Sequence, residues 1–187
     1  MNDLTEAGRL APPRDVSRGR WVAGLLVGTL LWALAVFIAH SFPVIFLGRE
    51  LTGPTYAIVA LLFAPLAFGA VSAGLRLARC PLSAAGFTLE NARADALVGA
   101  AVGVIWAALQ FGIIIPLTGG GERADLVVNA EQIGTTLSGL GGFVLLAWGG
   151  GFAEEVFFRG HLMTMLRGIL GASPAATALV VLLPTLL

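Results

Sequence analysis

Five stretches of this chain, residues 21–48, 51–75, 96–121, 132–153 and 168–187, contain no Asp, Glu, Lys or Arg. Each is at least 20 residues long, and a helix needs about 20 apolar residues to cross roughly 30 Å of hydrocarbon. Hydrocarbon offers the backbone no partners, so each stretch must satisfy its own amides, which selects helices over open strands. The expected fold class is all-α: a polytopic transmembrane helical bundle with about four full spans plus a short C-terminal apolar helix. Composition agrees. Of the 187 residues 57% are hydrophobic and 12% charged, and the mean hydropathy is +0.90, whereas a soluble domain carries about 25% charged residues.

The 11 basic residues, all arginine, balance the 11 acidic ones. No overall positive field is left for a nucleic-acid backbone, and the lipid bilayer is the expected partner. The single cysteine, Cys80, excludes an internal disulfide framework and cannot alone build a structural zinc site. Pro65, inside the second stretch, removes a backbone donor and is expected to kink that helix. No repeat at a fixed period is present.

Arginine placement sets an orientation. Arg9, Arg14, Arg18 and Arg20 precede the first stretch, Arg76, Arg79 and Arg93 follow the second, and Arg159 and Arg167 follow the fourth. Only Arg49 and Arg123 fall on the other side. The positive-inside rule makes the arginine-rich side cytoplasmic, with the N-terminus inside and the loop 119–131 outside a plasma or inner membrane. Residues 1–20, with Pro12-Pro13 and scattered charge, read as a cytoplasmic arm, and 21–187 as the transmembrane domain. The first stretch exceeds the usual signal-peptide core and no small-x-small cleavage site follows, so it reads as an uncleaved span.

The chemistry-bearing residues stand where the fourth stretch ends, in Gly149-Gly150-Gly151-Phe152-Ala153-Glu154-Glu155-Val156-Phe157-Phe158-Arg159-Gly160. Two adjacent carboxylates beside an apolar run are costly and mark a functional site. On a helix Glu155 and Arg159 lie four apart with the glutamate first, the better orientation for an ion pair. Glu154 points about 100° away. Glu155 is thus expected to be held by Arg159, and Glu154 to face a cavity as a general base acting on water. Charge spacing also fits a plainer reading, a salt-bridged turn where a helix leaves the bilayer. Small residues at 134, 138, 142 and at 147, 151 suit close helix packing, which needs no catalysis.

The string EEVFFRG at the end of an apolar span resembles the first motif of the CAAX-protease and bacteriocin-processing family of intramembrane proteases. Leu162, Leu166 and Gly171 lead into a further apolar stretch as in that family, so the resemblance covers roughly residues 134–187. It implies a multi-span hydrolase with an active site inside the membrane, opening to the cytoplasm in the eukaryotic branch, that cleaves a peptide or protein substrate. By the same resemblance Glu154 takes the role of the base that activates water, with Glu155 and Arg159 as its supporting pair. Later family motifs, F-x-x-x-H and H-x-x-x-N or -D, supply histidines that bind a metal such as zinc or orient the water directly.

The chain departs from the pattern there. Near residues 182–187 it reads Leu182-Leu183-Pro184-Thr185-Leu186-Leu187, with no histidine. The literal F-x-x-x-H ending at His161 overlaps the first motif, and His161 reads as a polar residue at the membrane interface. His40, at the outer end of the first span, reads as farther still from the motif. Gly171, Ser173 and Pro174 interrupt the last stretch, leaving residues 175–187, too few to cross unaided. The expectation is a truncated family member without a complete metal site and without peptidase activity. Two other functions compete with it: a non-catalytic membrane protein that binds a partner, as in bacteriocin self-immunity, and a small transporter whose polar path is lined by Glu154, Glu155 and Arg159.

Overall fold

A computed structural model describes residues 16–171 and 173–185. Among them every regular element is helical. Helix α1 is Arg18–Leu47, α2 is Thr55–Leu77, α3 is Ala92–Leu117 and α5 is Leu137–Leu170; all four are long and apolar enough to cross a membrane. Two shorter helices complete the set, α4 at Ala124–Ile133 and α6 at Pro174–Thr185. The chain is an all-α, multi-pass membrane protein. Most of the N-terminal arm lies outside the described residues, and Arg18–Arg20 already belong to α1.

Local chemistry sets the helix ends. Gly48, at φ 58°, stops α1 in the left-handed region that glycine enters without steric cost. The Thr136 hydroxyl accepts a hydrogen bond from the Gly139 amide at 3.1 Å and starts α5, and Gly171, at φ 85°, closes it. Ser173 Oγ accepts from the Ala176 amide at 3.2 Å and starts α6, with Pro174 as the first helical residue. Helix α2 runs unbroken through Pro65. The loop expected over 119–131 is partly helical, since α4 occupies its second half.

The bundle is α1, α2 and α5 in mutual contact. Glycines permit the approach. A Cβ on Gly24 of α1 would lie 2.8 Å from the Gly74 carbonyl oxygen of α2, one on Gly142 of α5 2.6 Å from the Gly53 oxygen, and one on Gly149 3.1 Å from Ala60. Of the small-residue positions singled out in the sequence, Gly142 makes a tight helix contact, whereas Gly151 meets open space. Helix α3 buries no residue and packs on none of the other long helices. It is an apolar rod whose surface suits a lipid environment.

The fourth span is longer than its charge-free run. Residues 132 and 133 close α4, and α5 passes through Glu154 and Glu155 without interruption to Leu170. At 1.5 Å per residue its 34 residues extend about 51 Å, well beyond the hydrocarbon thickness. Between Val156 and Leu162 the helix widens into a π-helical turn, a feature often found at functional sites.

Candidate functional site

The depth of the carboxylates follows from helix register. Along the antiparallel pair α1 and α5, Trp21 meets Gly168, Gly28 meets His161 and Trp32 stacks on Phe157. Along the parallel pair α2 and α5, Gly53 meets Gly142 and Ala60 meets Gly149. Stepping both registers evenly puts Glu154 level with Ala35 on α1 and Pro65 on α2. Those positions stand about 15–21 Å, at 1.5 Å per residue, from the ends of the charge-free runs of their helices. Glu154 therefore sits near mid-span, not at the edge of the bundle. Beyond Glu154, α5 itself continues for about four more turns to Leu170.

Glu154, exposed on the chain, lines an open, groove-like cavity of about 490 Å³ between α1, α2 and α5. Trp32, Val36 and His40 come from α1, Phe63 from α2, and Leu146, Ala147, Gly150 and Gly151 from α5. Gly150 and Gly151 help to make the space: a Cβ on either would meet nothing within 4 Å. Among the described residues Glu154 makes no ion pair and no side-chain hydrogen bond. Its neighbour does. Arg159 Nε lies 2.9 Å from Glu155 Oε2, the expected ion pair four residues apart. The two glutamates thus occupy different environments, the asymmetry that lets adjacent carboxylates divide their work.

The ion pair and both histidines of the chain stand in surroundings that the sequence did not specify. The Glu155–Arg159 pair is on the surface of the chain, with the side chains 57% and 77% exposed respectively. Arg159 faces a second cavity, distinct from that of Glu154.

His40, expected to lie remote from the motif, lines the Glu154 cavity. Its Nδ1 lies 2.9 Å from the Val36 carbonyl oxygen, and its ring meets Phe63 edge-on at 6.0 Å. A proton on Nδ1 would be donated to that carbonyl, leaving Nε2 to accept. The register separates His40 and Glu154 by about 7–8 Å along the axis. Sequence reasoning missed this because the two are 114 positions apart, and only the antiparallel packing of α1 on α5 brings them together.

His161, expected at an interface, is fully buried. Its Nε2 lies 3.3 Å from the Leu25 carbonyl oxygen, and Nδ1 has no partner among the described residues. The imidazole fills a notch left by missing side chains: a Cβ on Gly74 would lie 2.6 Å from its Cε1, and one on Gly28 would also collide with the ring. The signal was available, since Gly24 and Gly28 form a small-xxx-small pair in an apolar helix. The Trp32–Phe157 stack, with centroids 4.3 Å apart, is the floor between the two histidines. Trp32 lines the Glu154 cavity, and Phe157 lies 5.8 Å from the His161 ring.

The arrangement offers one free carboxylate and one imidazole on a cavity at mid-span. Among the described residues no three His, Cys, Asp or Glu side chains stand close enough to hold a metal ion. Zinc, which the resemblance allows, would find among the described residues fewer than the three protein ligands that a catalytic zinc site supplies. A comparison of the chain with protein-family models gave no match, and comparisons with characterised proteins and with solved structures gave none either.

Proposed function

We propose that the chain carries the glutamate half of an intramembrane endopeptidase site of the CAAX-protease type, with Glu154 as its general base. One observation carries this reading: Glu154 is unpaired at mid-span on a cavity, while Glu155 is tied to Arg159. An unpaired carboxylate at that depth is costly, and chains keep such groups for ion, proton or catalytic work. In the proposed reaction Glu154 takes a proton from a water in the cavity, and the water oxygen attacks the peptide carbonyl carbon. The carbon–nitrogen bond then breaks, and the proton passes from Glu154 to the leaving amine. The developing oxyanion needs donors. Arg159 is engaged by Glu155 and lines a different cavity, so the described residues leave the set incomplete.

The chain alone is therefore expected to show no peptidase activity in membranes, with or without added zinc. Fused to a family-like segment bearing F-x-x-x-H and H-x-x-x-N, it should cleave a membrane peptide in a manner that Glu154→Gln abolishes. Cleavage that survives Glu154→Gln would refute the assignment. Glu154-dependent cleavage by the unextended chain would make His40 the missing partner. The orientation proposed with this reading places the N-terminus in the cytoplasm and the 119–131 segment outside. In that orientation the Glu154 cavity, running from Glu154 toward Leu146 and His40, lies in the outer half of the membrane.

The presence of His40 on that cavity favours a second reading, a proton or cation path. Proteoliposomes distinguish the two: a pH-driven flux lost in both Glu154→Gln and His40→Ala, without peptide cleavage, would support transport.

A further inference from the structure

We propose that the arginine-lined cavity at the inner end of α5 binds the phosphate of an anionic phospholipid. The cavity, about 430 Å³, lies between the inner half of α5, helix α6 and the short turn Leu82–Ala85 with Gly86. Arg159, Thr164 and Arg167 of α5 and Thr177 of α6 line it, and among the described residues no Asp or Glu does. Arg167 makes no ion pair or hydrogen bond among the described residues. Arg159 also lines the cavity but is paired with Glu155 through Nε, which leaves Arg167 as the cavity's unpaired arginine among the described residues. With that pair neutral, the cavity carries the single positive charge of Arg167, which matches the single negative charge of a phosphodiester.

Depth and shape fit a lipid better than a free anion. The α1–α5 register sets Arg167 level with Val22, beside Arg18 and Arg20, where a head group would stand in the proposed orientation. The opposite wall is apolar, built from Met163, Val180 and Val181. Helix α6 is described over 12 residues, about 18 Å at 1.5 Å per residue. An acyl chain can lie along it, whereas inorganic phosphate gains nothing from that wall. Basic pockets between membrane helices are a general way of holding anionic head groups. The inference does not depend on the peptidase reading.

The test is lipid retention by the full chain, purified in a non-ionic detergent and exposed to equimolar phosphatidylglycerol and phosphatidylcholine, with bound lipid counted by native mass spectrometry. The wild type should retain phosphatidylglycerol selectively, and Arg167→Gln should weaken that retention about tenfold. Arg76→Gln, at the same end but outside the cavity, should leave it unchanged. Thr177→Leu, which fills the cavity without removing charge, should weaken it as well, and gives a second readout if Arg167→Gln folds poorly. Equal retention of the two lipids, or equal losses in Arg76→Gln and Arg167→Gln, would overturn the proposal. Saturable binding of inorganic phosphate that displaces the lipid would replace the lipid with a free anion as the ligand and overturn it too.

Discussion

Single atoms decide the packing around the buried histidine. Gly28 and Gly74 leave the volume that His161 occupies, so Gly28→Ala should overpack the junction and destabilise the bundle by about 1–3 kcal/mol. Gly69, on α2 as well, faces open space, and Gly69→Ala should be neutral or stabilising by up to about 1 kcal/mol through helix propensity. Thermal melts of the two variants in one detergent check the contrast; equal melting temperatures would mean that the notch relaxes freely. The Glu155–Arg159 pair poses a different question, because its exposed surface meets lipid or water. If it meets lipid at the depth the register gives, Arg159→Leu strands the Glu155 charge at a cost of about 2.5–3.5 kcal/mol, and adding Glu155→Gln restores the folded yield. Indistinguishable yields from wild type, single and double variants would show a water-bathed pair worth about 0–1 kcal/mol.

Whole helices divide into those that hold the bundle and one that does not. Leu75 on α2 is 1% exposed and Leu97 on α3 is 73% exposed. Leu75→Ala should therefore cost about 2–5 kcal/mol and Leu97→Ala no more than about 0.5 kcal/mol, as read by unfolding in mixed detergent. The connections between helices carry their own chemistry. Cys80 follows α2 and is buried beside Trp21 and Met165, and burial pushes its thiol above the usual range. It should stay protonated at neutral pH and react slowly with maleimide until the chain is unfolded. Between α3 and α4, Arg123 donates to Asp125 at 3.0 and 2.7 Å and holds that carboxyl below its ordinary range. A depressed carboxyl contributes its share of local order above the unfolded value and loses it as pH falls through the folded one. Amide exchange at the start of α4 should accordingly rise only below the ordinary aspartate range, and Arg123→Gln should move that rise to higher pH.

At the scale of the molecule, the arginine distribution makes a topology that labelling can check. A single cysteine at Thr118, in a Cys80→Ser background, should react with an impermeant maleimide in intact cells, and one at Ser17 should not. The reverse pattern would invert the orientation and with it the leaflet assigned to the arginine cavity. Both positions are exposed, so reactivity reports the side of the membrane.

The all-α membrane fold was determined by the sequence alone, because a long charge-free run has one way to satisfy its backbone in hydrocarbon. The Glu155–Arg159 pair was legible for a similar reason: both residues lie on one helix, where a spacing of four fixes their meeting. Only the tertiary structure decided the rest. That Glu154 lies at mid-span depends on how far α5 continues past the last apolar residue and on its register with α1 and α2. That His40 shares its cavity, and that His161 is buried in a glycine notch, depends on contacts between residues far apart in the chain. Helices that are apolar on every side carry no periodicity to say which face meets which neighbour. Missing side chains, at Gly24, Gly28, Gly74 and Gly149, choose the faces, and their effect exists only once the helices have docked.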